Sequence, residues 1–302
     1  GSSLVISSNN KSYEIKNDKV YLKIDATSGE IRSWAFEGNE ITNQPIRLNF
    51  WRPPTDNDLG NNMFEWAKIW QDASYNYESK LIEKPIKSKE GISYKINYDL
   101  PNNVAKVEVL FTLKDRGNLN VDYSFIPNQE NLPNIPRLGM YLTLSKEFKD
   151  VNWYGKGPTE SYWDRKSGQK VAVYSNKIES QFHRYPRPQE TGNKTDVRWV
   201  EVSSSNLSLK ASSNILLNTS VWPFKINELD FSSIDAVKSA SGLVPVTKKH
   251  GADIVFGETI QWNIDYQQMG VGGDTSWGRL VHPEYTIPAS KTYKYSFTIK
   301  PK

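Results

Sequence analysis

The chain has 302 residues, a formal net charge of +4 and 37% apolar residues, enough to build a substantial core. Its basic residues are dispersed rather than blocked, which argues against a nucleic-acid partner, and no apolar run is long enough to span a bilayer, so no membrane partner is expected. The absence of cysteine excludes disulfides, thiol catalysis and thiolate metal sites, and leaves cytoplasm and periplasm equally open.

In chain order, Gly1-Ser2-Ser3 reads as a cloning scar, and residues 1–16 as that scar plus a linker or N-terminal extension. The first convincing strand pair is Val20–Asp25 and Ile31–Phe36, joined by the turn Ala26-Thr27-Ser28-Gly29. Gly38-Asn39-Glu40 is superficially similar to the Asn-Glu of some glycosidase acid/base sites, but a hairpin turn before Ile46–Trp51 explains it fully. The stretch from Phe50 to Gly60 is the first of four polar, turn-rich segments. Its prolines end a strand, Asp56 to Asp58 favour Asx turns and a helix cap, and Gly60 permits an unusual φ. Met63, Trp66, Ala67 and Trp70 follow at i, i+3, i+4 and i+7, about two turns of helix.

Period-two alternation then dominates. Ile92, Tyr94, Ile96 and Tyr98 alternate with polar residues, as do Leu119, Val121, Tyr123 and Phe125, and as do Tyr293, Tyr295, Phe297 and Ile299. Each run is a strand with one buried and one wet face. Lys114 to Asn118, with Gly117 for positive φ, is a hairpin loop between Val107–Leu113 and Leu119–Phe125. The second polar segment runs from Tyr154 to Arg165, and the third from Tyr185 to Asn193, leading to Asp196-Val197-Arg198-Trp199. The fourth, MGVGGDTSWG from Met269 to Gly278, follows a strand with Trp262, Ile264 and Tyr266 on one face. Its glycines at 270, 272 and 273 allow a sharp turn. Read alone, Trp277 is more often packed than ligand-binding. The fold class is all-β, a large antiparallel sandwich over residues 17–302.

Side-chain chemistry adds little by itself. There is no G-x-S-x-G, and Ser167-Gly168 lies in a polar loop. His183, His250 and His282 are far apart in sequence and lack H-x-x-x-H spacing, so surface or structural roles are the default and no metal site is expected in this chain. A glycosidase needs two carboxylates about 5–9 Å apart, and sequence alone pairs none of them. Aromatic residues make up 12% of the chain, including 10 Trp. That load suits pleated sheet faces, and it also suits stacking on sugar rings.

The four polar segments, in this order, resemble the small-chain domain of glycoside hydrolase family two β-galactosidases. The pattern R-x-P-x-D-N-D-x-G is matched by Arg52, Pro54, Asp56, Asn57, Asp58 and Gly60. N-W-x-G-x-G-P-x-E-x-Y-x-D-R is matched from Asn152 through Glu160, Tyr162 and Asp164 to Arg165. Y-x-x-P-x-E-x-G is matched by Tyr185, Pro188, Glu190 and Gly192, and G-G-D-x-S-W by Gly272, Gly273, Asp274, Ser276 and Trp277.

This resemblance implies the super-sandwich shared with galactose mutarotases, as the C-terminal domain of a five-domain enzyme. It implies a retaining hydrolase of terminal β-galactosides whose catalytic glutamates and magnesium sit in a separate (β/α)8 barrel. No catalytic residue and no cofactor is then expected in this chain, which alone should be inactive. Its partners are the other domains of the same polypeptide and the aglycone side of the substrate. By the match, Trp277 is the aglycone-stacking residue. Asp274 and Ser276 shape its loop, and Gly60 starts a second loop at the active site. The residues after Gly60, Asn61-Asn62-Met63-Phe64, depart from the family pattern. Arg52, Asp56, Asp58, Glu190 and Arg198 are expected in supporting ion pairs and turn bonds, because buried charges persist only when paired. Two other readings compete: a free-standing carbohydrate-binding module, and a mutarotase using His183 with a carboxylate.

Overall fold

The computed structural model describes residues 1–231, 235–239, 242–245, 249–275 and 278–302, without the side chains of 239 and 242–245. Strands β1 (Val5–Ser8), β2 (Ser12–Lys16), β3 (Val20–Asp25), β4 (Ile31–Phe36) and β5 (Asn39–Thr42) form a five-stranded antiparallel sheet in sequence order. The pair expected at Val20–Phe36 forms with those limits. The residues before it also pair: Tyr13 lies opposite Ile24, and Leu4 and Ile15 are buried in the core. Glu37 and Gly38, both at positive φ, make the turn into β5, so Asn39 and Glu40 belong to a hairpin as expected.

Strand β6 (Arg47–Asn49) is short because Pro53 and Pro54 follow it. The helical pattern beyond is realised as three pieces, α1 (Asp56–Gly60), α2 (Met63–Trp66) and α3 (Lys68–Asn76). Thr55 caps α1 through a capping box with Asp58. Asn62 in the left-handed region and Ala67 at φ −117 break the run, so the expected two-turn helix is interrupted and reaches further, to Asn76. Of the expected face, Met63, Ala67 and Trp70 are buried and Trp66 is half-buried against the core, while Phe64, outside the pattern, is buried as well.

Then come β7 (Glu78–Ser88), β8 (Gly91–Asp99), β9 (Ala105–Leu113), β10 (Leu119–Pro127), β11 (Arg137–Ser145), β12 (Asp150–Gly157), β13 (Lys170–Lys177), β14 (Lys194–Ser203) and β15 (Ser208–Trp222). The hairpin β16 (Ala236–Ser239) and β17 (Gly242–Pro245) precedes β18 (Thr259–Gln268) and β19 (Tyr293–Pro301). Leu113 lies opposite Leu119 across the loop at Lys114–Asn118, as its turn chemistry required. Nine strands run side by side in the order β13-β12-β14-β15-β19-β10-β9-β8-β7, while β18, β11 and β6 branch from β15. The branch point is β15, the longest strand. Leu209 to Ser212 pair with β19, and Asn218 to Trp222 pair with β18. The fork brings the end of β18, at Gln268, toward β11 and the segments that follow β6 and precede β14.

Trp34, Trp51, Trp70, Trp153, Trp222 and Trp262 are fully buried. Most of the aromatic load is therefore core, and its fit to sheet faces explains it without sugar binding. Among the described residues, no helix is long and apolar enough to cross a membrane.

Candidate functional site

Four segments far apart in sequence meet where β18 ends. Beyond Gln268 the carbonyls of Met269 and Gly270 leave the sheet ladder and need donors. Arg52 supplies them from a fully buried position, giving Nη1 to Met269 O at 2.7 Å and Nη2 to Gly270 O at 2.8 Å. The same guanidinium makes a two-pronged pair with Asp58, at 3.0 Å from Nε and 2.9 Å from Nη2. Asp58 is held in turn by Thr55 through the cap of α1. Planar fork geometry is why arginine suits this position and lysine would not.

The next two amides are held by Asp164. Its Oδ1 accepts Val271 N–H at 2.9 Å and its Oδ2 accepts Gly272 N–H at 2.8 Å. The approach is close: a Cβ on Gly270 would lie 2.5 Å from the carboxylate, so a side chain there would displace Asp164 from these amides. Asn57 closes the neck of the segment. Its Nδ2 donates to Gly272 O at 3.1 Å and to Arg279 O at 2.9 Å, and its Oδ1 accepts Gly278 N–H at 2.8 Å. One side chain thus ties both ends of the interval 273–277. Gly278, at φ +103, lies against Gly60 so tightly that a Cβ would come within 2.3 Å of the Gly60 carbonyl carbon.

The remaining two interfaces complete a ring. Arg187 bonds Asp56 Oδ1 and Pro54 O, Gln189 bonds Asp56 Oδ2, and Glu190 N–H reaches Pro53 O at 3.1 Å. Glu160 accepts from Gly192 N–H at 2.8 Å, from Tyr162 OH at 3.3 Å and from Tyr185 OH, with Arg165 at 3.5 Å. Beneath them Arg137, fully buried, pairs with Glu190 at 2.7 Å and with Asp265 at 3.1 Å. Burial pushes the Glu190 carboxyl upward and lifts Asp265 to about 7, against the pull of Arg137 on both.

The expected supporting roles of Arg52, Asp56, Asp58 and Glu190 are all realised as ion pairs. Arg198 differs. Its guanidinium donates to the Asp196 carbonyl at 2.6 Å and lies over the Tyr154 ring, while the Asp196 carboxylate is taken by Lys166 at 2.8 Å. Asp274 is exposed and pairs with His282 at 2.7 Å, which raises the His282 pKa through that hydrogen bond. Ser276 and Trp277 lie outside the described residues. An open cleft of about 550 Å³ beside the neck is lined by Gly60, Asn61, Asn62, Asp274, Leu280 and His282. His183 rests edge-on against Tyr185, and no three metal-ligating side chains gather among the described residues.

Asn57 and Asp164 carry the most specific contacts to the segment; both match the family pattern, but the sequence assigns neither of them this role. A signal was available for Asn57. Thr55 and Asp58 already satisfy the cap of α1, so the amide between them had no local partner to account for it.

A family profile described as "Beta galactosidase small chain" matches residues 16–299. Similar curated proteins include a β-galactosidase of Priestia megaterium, 32% identical over 99% of this chain and 27% of that protein. Another is a β-galactosidase of Halalkalibacterium halodurans, 29% identical over 90% of this chain and 26% of that protein. The chain therefore spans about a quarter of the length of these relatives. Similar solved structures include a putative aldose 1-epimerase of Escherichia coli, with a TM-score of 0.48, 8% identity and 99% coverage of both chains. A galactose mutarotase related enzyme of Lactobacillus acidophilus has a TM-score of 0.45 and 10% identity, covering 96% of this chain and 97% of that one. With its four segments interlocked and the profile spanning nearly all its length, the chain belongs to the β-galactosidase small-chain family.

Proposed function

We propose that this chain is the C-terminal domain of a retaining β-galactosidase, and that its segment Met269–Gly278 presents Trp277 to the aglycone in an active site built by another domain. The observation that carries this reading is the neck. Arg52, Asp164 and Asn57 spend buried or charge-assisted bonds on the backbone of Met269 to Gly272 and of Gly278, while Gly273, Asp274 and Thr275 between them are exposed. A loop that needed only to connect β18 to β19 would not require three side chains from two distant segments. Holding both ends while leaving the middle exposed is how a fold positions a contact residue for something outside itself.

On this reading the chain supplies binding rather than bond cleavage. The acid/base and nucleophilic carboxylates, and the magnesium, belong to the barrel domain. A flat indole suits a variable aglycone because ring stacking depends little on which hydroxyls the sugar carries. The exposed pair Asp274–His282 and Asn61 line the cleft beside the neck and would border such a sugar.

The test is Trp277→Ala in the intact enzyme. Loss of one stacking partner, about 1 kcal/mol beyond area burial, weakens inhibition by glucose-like acceptors about fivefold and lowers transfer to them. Unchanged acceptor inhibition would remove Trp277 from this role. The binding-module reading is separated by calorimetry on the 302-residue chain. Clear galactoside affinity there favours a self-contained module, whereas the present proposal expects millimolar binding at most. The mutarotase reading draws on His183 and Glu160 lining one cleft, but the Glu160 oxygens already accept from Tyr162, Tyr185, Arg165 and Gly192 N–H, which leaves a clamp rather than a free base.

A further inference from the structure

We propose that a second cleft, between residues 158–169 and 180–194, is a binding site for a small oxyanion, with Lys194 as the cation that meets it. The cleft has a volume of about 520 Å³ and is lined by Glu160, Arg165, Lys166, His183, Tyr185 and Lys194, among others. It is separate from the neck of Met269–Gly278, and no part of the proposed function uses it.

Charge accounting singles out Lys194. Lys166 is neutralised by Asp196 at 2.8 Å, and Arg165 faces Glu160 at 3.5 Å. Lys194 is only 4% exposed and, among the described residues, has no carboxylate within ion-pair distance. Its ammonium donates one hydrogen bond, to Gly192 O at 3.0 Å, and lies 5.1 Å from the Trp153 ring centre. An ammonium has three donors, so two remain after the Gly192 bond on a side chain that lines the cleft. Burial lowers its pKa to about 8, only weakly opposed by the Glu160 charge. Keeping such a group buried and half-satisfied is costly unless something negative joins it.

The same accounting selects the ligand class. A neutral sugar needs acceptors for its hydroxyl protons, and the one carboxylate in the lining has its oxygens filled by Tyr162, Tyr185, Arg165 and the Gly192 amide. The cleft's amide and hydroxyl side chains, such as Asn176 and Gln181, serve either class, but its charged groups with donors to spare are the buried ammonium of Lys194 and the exposed guanidinium of Arg165. An oxyanion, free or carried on a sugar as a carboxylate, fits that set.

The experiment is calorimetric titration of the 302-residue chain with sodium sulfate at constant ionic strength, chloride making up the balance. Saturable binding is expected at pH 7. It weakens about tenfold at pH 9, where only about a tenth of Lys194 keeps its proton. Tyr185, pushed up to about 12, is silent in that window. Lys194→Met abolishes the heat. Arg165→Gln, a change at a largely exposed side chain, weakens it and guards against misreading a folding defect. Galacturonate binding tighter than sulfate assigns the oxyanion to a sugar, and the reverse order assigns a free anion. No saturable heat with either anion, or equal binding by wild type and Lys194→Met, overturns the proposal.

Discussion

Asp164→Ala tests the scaffold at its most local point. The carboxylate accepts two backbone amides, Val271 at 2.9 Å and Gly272 at 2.8 Å, and makes no ion pair among the described residues. Hydrogen bonds to a charged acceptor contribute about 1.5–3 kcal/mol each when buried. Asp164 is only half-buried, so water replaces part of that, and about 2–3 kcal/mol for the pair is the reasonable figure. Such a loss shifts the equilibrium between held and released segment by about 30- to 150-fold. Amide hydrogen exchange reads it directly. Protection at Val271 and Gly272 should fall by that factor, while amides inside β18, such as Trp262 and Ile264, keep theirs because their ladder to β11 and β15 is untouched. Asp164→Asn keeps one acceptor oxygen and should show an intermediate loss. Unchanged protection at Val271 and Gly272 in Asp164→Ala would refute the claim that this carboxylate holds the segment.

Gly278→Ala forces a Cβ at φ +103 to within 2.3 Å of the Gly60 carbonyl carbon, so the neck and α1 must separate; an unfolding free energy lower by about 2 kcal/mol or more is expected in denaturant titration, and an unchanged midpoint contradicts the close approach. Lys194 makes a pH prediction with a definite sign. Its folded pKa of about 8 lies below the ordinary 10.5, so the unfolded chain binds the extra proton between those values. Stability therefore rises from pH 8 to 10.5, by about 3 kcal/mol, and this rise should be missing from Lys194→Met in urea unfolding followed across that range.

The legible part of the fold was what local pattern determines. The alternation at Ile92–Tyr98 and Leu119–Phe125, and the turns at Ala26–Gly29 and Lys114–Asn118, needed only neighbouring residues, and all of them form. The helix was half legible. Its apolar spacing survived, but it is broken at Asn62, in the left-handed region, and at Ala67, at φ −117, and apolar spacing alone does not specify such breaks. The pairing of β1 and β2 ahead of Val20 was also missed, because Ser7 to Lys11 is polar throughout and reads as linker. For the site, the four segments were visible as unusual, yet their partners were not. Asn57 reaches across 215 residues to Gly272, and Asp164 across 107 to Val271. Nothing in the sequence pairs Arg165 with Glu160 rather than with its neighbour Asp164, and that choice is what leaves Asp164 free for the segment.

The central claim is that this scaffold acts on the aglycone through Trp277. A double-mutant cycle in the intact enzyme measures it, with Asp164→Ala and Trp277→Ala made singly and together, and inhibition by glucose as the readout. If Asp164 works by holding the segment that carries the indole, its removal costs nothing further once the indole is gone, and the effects of the two changes do not add. Additive losses in the double variant would show that Asp164 and Trp277 act independently, and would contradict the account.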